Sequence, residues 1–205
     1  MANFMLTAGA DLWQPGVAHD VLAGSFANLS SAYVGTARAG QFAVLGNGGS
    51  DTIDASLVGA ACRITLLAGG GNDTFLGGAG NDLARFNAIE LTAGDSINAG
   101  AGFDTLRLDT AGALAAEALA NVRRIETIEL ATGDSSVSIA QGMAASADGG
   151  VLAVVARGGA NVVDASAATA AVNYVAGRGA VGYVGGTGVD RVHVAPSTLT
   201  SADSF

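Results

Sequence analysis

The 205-residue chain is predicted to be all-β, a parallel β-solenoid of ~22-residue coils with short helical or irregular excursions. Three observations predict it. The first is a nine-residue phrase written twice in succession, Ala68-Gly-Gly-Gly-Asn-Asp-Thr-Phe-Leu76 and Gly77-Gly-Ala-Gly-Asn-Asp-Leu-Ala-Arg85. Both follow the pattern Gly-Gly-x-Gly-x-Asp-x-hydrophobic-x, the first with Ala68 in place of the leading glycine, a glycine turn running into a very short strand. The second is spacing: Asp51, Asp73 and Asp95 lie 22 apart, and so do Asp82 and Asp104. Apart from Asp82, each is followed two residues on by an apolar side chain, namely Ile53, Phe75, Ile97 or Leu106. The third is a longer duplication, in which Gly48-Gly-Ser-Asp-Thr-Ile-Asp-Ala-Ser56 returns as Gly158-Gly-Ala-Asn-Val-Val-Asp-Ala-Ser166 at an offset of 110. Gly77–Asp82 returns as Gly185–Asp190 and Leu91–Ile97 as Leu199–Phe205, both at an offset of 108.

Composition agrees with thin coils. Half the residues are hydrophobic but only 5% are aromatic, so side chains suit a narrow stacked core better than a wide one. With 31 glycines and 2 prolines the chain is neither collagen nor a proline-rich linker. Lysine is absent, and nine arginines against eighteen acids give a net charge of −9, which argues against nucleic acid as a partner. No apolar run approaches the ~20 residues of a membrane-spanning helix, so no membrane insertion is expected. The single Cys62 excludes an internal disulfide and a cysteine zinc site, and reads as a small buried apolar residue.

In chain order, residues 1–45 are expected to form N-terminal capping coils, with Trp13 and Gln14-Pro15 closing the first. Residues 46–110 form the first, metal-binding copy. A parallel register, Gln41-Phe42, Arg63-Ile64, Arg85-Phe86 and Arg107-Leu108, predicts an arginine column on its surface. Residues 111–157 form a spacer with a short helix and strands. Within it Ala111–Val122 and Ser138–Asp148 lack strand alternation and read as a short helix or an irregular excursion. Residues 158–205 form a degenerate, incomplete second copy. It breaks off where the next metal turn would begin, so a longer chain is expected.

The turns predict calcium. Calcium takes six to eight oxygen ligands in flexible geometry, so backbone carbonyls can supply much of a site. Glycines let neighbouring carbonyls come close, and one aspartate per turn adds charge. The candidate ligand turns are Gly46, Gly48 and Asp51; Gly69, Gly71 and Asp73; Gly78, Gly80 and Asp82; Asp95; Gly100, Gly102 and Asp104; and Gly186, Gly188 and Asp190. The consecutive turns ending in Asp73 and Asp82 are the best matches to the pattern. In the second copy Asn161 replaces Asp51 and Val181 replaces Asp73, so those sites are expected to be weak or lost. The plain alternative is a glycine turn without metal, since aspartate after glycine is common in turns for backbone reasons alone.

On these nonapeptides, at 68–85 and 185–193, the chain resembles the RTX (repeats-in-toxin) calcium-binding β-roll family. The spacer Leu119-Ala-Asn-Val-Arg-Arg-Ile-Glu-Thr-Ile-Glu-Leu130 is similar to segments of RTX-type surface-layer and surface-associated proteins of Gram-negative bacteria. The resemblance implies type I secretion by an uncleaved C-terminal signal and folding triggered by extracellular calcium. Met1–Thr7 lacks a basic region and a cleavage site, in keeping with that route.

No enzyme is expected. There are two histidines, His19 and His193, and neither a His-Glu-x-x-His nor a Gly-x-Ser-x-Gly motif. Gly177-Arg-Gly-Ala-Val-Gly182 fits a dinucleotide fingerprint on paper but has no βαβ context. The expected function is a secreted, calcium-stabilised structural protein that self-assembles into a surface layer, extracellular matrix or fibre. The alternatives are a calcium-dependent adhesin or glycan-binding module, whose arginine column would take cell-surface polysaccharide, and a non-catalytic RTX portion of a larger secreted protein.

Overall fold

The computed structural model describes residues 3–4, 11–13, 20–23, 32–34, 40–46, 48–195 and 199–205, with side chains from residue 43 onward. Gln14-Pro15 and the side chain of Trp13, proposed to close the first coil, lie outside these described residues. Over the described residues the chain winds as a parallel β-solenoid with three sheets.

The longest sheet has ten strands: β1 (Asn3–Phe4), β3 (Asp20–Ala23), β5 (Gly40–Leu45), β7 (Cys62–Leu67), β9 (Leu83–Phe86), β11 (Thr105–Leu108), β14 (Thr127–Glu129), β16 (Val151–Val155), β18 (Ala171–Val175) and β20 (Arg191–His193). The second holds β2 (Asp11–Trp13), β4 (Ala32–Val34), β6 (Thr52–Asp54), β8 (Thr74–Leu76), β10 (Ser96–Asn98) and β13 (Val122–Arg123). The third takes over in the second half with β12 (Ala113–Leu114), β15 (Ser135–Ser138), β17 (Asn161–Asp164) and β19 (Val181–Val184). The strands of residues 3–45 thus belong to the same sheets as the rest.

Parallel sheets in layered α/β folds are covered on both faces and read as continuous apolar runs. A solenoid covers one face only, so its strands alternate. Cys62–Leu67 shows this, with every second side chain buried. Inward columns run along the axis: Ile53, Phe75, Ile97 and Val122 stack in register, as do Leu66, Ala84, Leu106, Ile128, Val154 and Tyr174. All ten are buried. Each such large aliphatic or aromatic side chain contributes about 1.5–3 kcal/mol. Cys62 is buried among them, and burial pushes its thiol pKa up.

The regular step between coils holds from Phe42 to Ile64, from Leu83 to Thr105 and from Thr105 to Thr127. It is broken in a consistent way. The coil built from two consecutive nonapeptides is shorter, so Thr65 pairs with Leu83, where the regular step would bring Asn87. Asn173 pairs with Arg191 across the second-copy nonapeptide turn by the same shortened step. The longest step, from Thr127 to Ala153, accommodates a short helix α1 (Gln141–Ser146). Ser138–Asp148 is therefore the helical excursion. Ala111–Val122 is an irregular one, carrying β12 and turns.

This shortening corrects the arginine column. Arg63 sits beside Gln41, whereas Arg85 sits beside Leu67 and Arg107. The row reads Leu45, Leu67, Arg85, Arg107, Glu129 along the outer face. Two short glycine turns in one coil leave out the residues that would bring Arg63 into line. Arg85 and Arg107 both pair with Asp109, at 2.9 and 3.4 Å.

Candidate metal centre

Each coil turns at two corners, and the aspartates end the corners just before a strand begins. In that place the backbone N–H of one coil points at the next coil, where no strand carbonyl meets it. The carboxylate fills the gap. Asp73 Oδ1 accepts the N–H of Asp51 (3.0 Å), and Asp95 Oδ1 that of Asp73 (2.8 Å). At the other corner Asp82 Oδ1 accepts from Ile64 (2.7 Å), Asp104 Oδ1 from Asp82 (2.6 Å), and Glu126 Oε2 from Asp104 (2.6 Å). The carboxylates therefore extend the sheet ladder through the corners, one coil to the next.

The glycines are there because the coils stack so closely. A Cβ on Gly80 would collide with the carbonyl oxygen of Cys62, and one on Gly102 with that of Gly80. Gly46, Gly78, Gly100, Gly186 and Gly188 face backbone carbonyls of the neighbouring coil in the same way. Gly48 pairs with Gly70 in a short parallel bridge, and Gly69 and Gly71 both have positive φ. The structure thus places every candidate glycine at a corner beside its aspartate. Carbonyl oxygens crowd these corners, as a calcium site needs.

The second carboxylate oxygen separates the turns. Asp82 Oδ2 accepts the N–H of Gly78 (2.9 Å), and Asp190 Oδ2 that of Gly186 (3.0 Å). Asp190 Oδ1 accepts from Val172 at 2.9 Å, repeating the Asp82 arrangement in the second copy. Asp95 Oδ2 accepts from Thr92 (2.7 Å). By contrast Asp73 Oδ2 and Asp104 Oδ2 are buried with no hydrogen-bond partner, in residues only 2% and 1% exposed. A buried, half-satisfied carboxylate is unfavourable as an anion. Burial accordingly pushes the pKa of Asp73 and Asp104 up to about 7, reinforced by neighbouring carboxylates. Asp82 is pushed up to about 6, its two backbone N–H donors and the nearby Arg63 holding it lower.

Compared with models of known protein families, with curated proteins and with solved structures, the chain has no match. The site is therefore read from its own atoms. Among the described residues no three carboxylate, histidine or cysteine side chains converge as a metal cage. A cation here would rely on backbone carbonyls with one carboxylate, which is the donor chemistry calcium accepts. The orphaned oxygens of Asp73 and Asp104 and the carbonyl-lined glycine corners fit that requirement.

Three ladder members carry no nonapeptide signature. Glu126 follows Asp104 by one regular step and ends its column, its Oε1 accepting the N–H of Asp148 (2.8 Å). Asp203 repeats Asp95, accepting from Val181 (2.7 Å) and Thr200 (2.6 Å). Asn161 keeps the acceptor role toward Ser135 (3.1 Å), while its amide Nδ2 donates to the carbonyls of Gly158 (3.0 Å) and Gly159 (2.9 Å). The coil period and the offset of the duplication could have located the first two. Val181 holds the place of an aspartate in its column and has no carboxylate to give. His193 is exposed on the outer row, and Gly177–Gly182 runs from β18 into β19 with no helix after it.

Proposed function

We propose that this chain is a secreted structural protein that calcium stabilises, and that it self-assembles into a surface layer, extracellular matrix or fibre. The observation that carries the reading is the pair of stacked, buried carboxylate columns in an acidic chain without lysine. Left bare, such columns place anions in a row where water cannot reach them. A divalent cation shared between carbonyl-rich corners removes that penalty. RTX-type repeats, which the nonapeptides resemble, supply the secretion route and the extracellular calcium.

Assembly is supported by the outer surface. Ile89, Phe103 and Val189 are 88%, 75% and 74% exposed, and Val162 and Val184 lie on the outer face of the third sheet. Outward apolar side chains in such number suit a protein that meets copies of itself. The mean hydropathy of +0.43 points the same way.

Size-exclusion chromatography and electron microscopy of the full chain, with calcium and with a chelator, test the reading. Ordered assemblies in calcium and none in chelator are expected. A stable monomer under both conditions would refute it, and glycan binding by such a monomer would favour the adhesin reading.

A further inference from the structure

The corners differ in how they complete the carboxylate, and the second copy shows what completes it. At Asn161 the side-chain oxygen keeps the ladder bond while the amide –NH2 donates to two carbonyls of its own turn, those of Gly158 and Gly159. A neutral amide there supplies positive hydrogens where an aspartate supplies only an oxygen. The counterparts of Gly158 and Gly159 are Gly70 and Gly71 before Asp73, and Ala101 and Gly102 before Asp104. In those two turns the equivalent carboxylate oxygen is buried without a partner. Carboxylates surround both: Asp51, Asp95 and Glu90 near Asp73, and Asp82, Glu126 and Asp148 near Asp104.

At Asp82 and Asp190 both oxygens already take backbone N–H groups. These turns begin with glycine, Gly77 and Gly185, and a Cβ there would press on the carboxylate oxygen. The turns of Asp73 and Asp104 begin with Ala68 and Ala99 instead. Gly100, at φ 98°, sends its N–H to Asn98 and not to the carboxylate. In these four turns the carboxylate folds back on its own backbone where the first residue is glycine and does not where it is alanine.

We propose that calcium is taken at two seats, one at Asp73 and one at Asp104. Each is formed by the orphaned carboxylate oxygen and the carbonyls of the turn before it, Gly70 and Gly71 in one and Ala101 and Gly102 in the other. The turns of Asp82 and Asp190, nearer the nonapeptide pattern, are closed by hydrogen bonds and take none, and Asn161 carries its own replacement for the cation. This rests on the calcium reading above.

Calorimetric titration of the full-length chain with calcium, run beside chelator-dependent circular dichroism, tests it. Wild type is expected to bind two calcium ions. Asp73→Asn and Asp104→Asn should each remove one while keeping the fold, because asparagine serves the corner as Asn161 does. The double variant should fold in chelator. Asp82→Asn and Asp190→Asn should leave the stoichiometry at two. Loss of a site in Asp82→Asn with none lost in Asp73→Asn would overturn the assignment alone. A folded wild type that binds no calcium would overturn the calcium reading with it.

Discussion

Asp82 shows how much one side chain can hold. It is buried and accepts two backbone N–H groups, from Ile64 in the previous coil and Gly78 in its own turn. Each buried donor left unsatisfied costs about 1–3 kcal/mol. Asp82→Ala should therefore destabilise the chain by on the order of 2–4 kcal/mol, read from the urea midpoint. Acidity is the second consequence at this scale. Asp73 and Asp104, at about 7, and Asp82, at about 6, lie above the unfolded carboxylate value of about 3.9. Between those values the folded chain binds more protons at these groups than the unfolded one, so the stability they contribute is full below about pH 4 and is lost as pH rises through 7. Calcium-free protein should show a higher urea midpoint at pH 5 than at pH 8. Equal midpoints would mean that these carboxylates are solvated.

Among the elements, the corner is what cannot change. The coils approach so closely that a Cβ on Gly80 meets backbone, which cannot rotate away as a side chain would. Gly80→Ala should destabilise by about 1–3 kcal/mol or more, as overpacking does. Gly59, with open space around its Cβ position, is the control: Gly59→Ala should be neutral or stabilising by up to about 1 kcal/mol in the same thermal melts. The strands depend on their inward row instead. Leu106→Ala would leave a void between Ala84 and Ile128 and should cost about 2–5 kcal/mol. Much of this was legible in the sequence, because a strand with one covered face must alternate and a tight corner must use glycine. The arginine column was not. Residue spacing predicts stacking only if every coil has one length, and the shortened coil of the paired nonapeptides displaces Arg63 from Arg85.

For the molecule as a unit, each coil touches only its neighbours, so stability spreads along the axis as a sum of local terms. Calcium at 100 times its dissociation constant adds about 2.7 kcal/mol per seat, enough for two seats to decide whether the first copy folds. Circular dichroism should show a large loss of strand signal in chelator, and an unchanged spectrum would show that the corners stand without metal. The second copy should resist chelator better, since Asn161 and Val181 carry no charge at places held by carboxylates in the first.

Sequence alone was enough for the solenoid, its nonapeptide corners, the long duplication and the replacement of two corner aspartates by Asn161 and Val181 in the second copy. These follow from local chemistry, namely glycine where carbonyls crowd, aspartate at the corner and one apolar residue facing in. It took the folded chain to settle which coils are shortened and which lengthened, and that Glu126 and Asp203 extend the ladders. The folded chain likewise left Asp73 and Asp104 a free oxygen where Asp82 has none. Those outcomes depend on where one coil's backbone N–H groups fall against the next coil's carboxylates. Such contacts join residues a full coil apart, and a motif of nine cannot contain them.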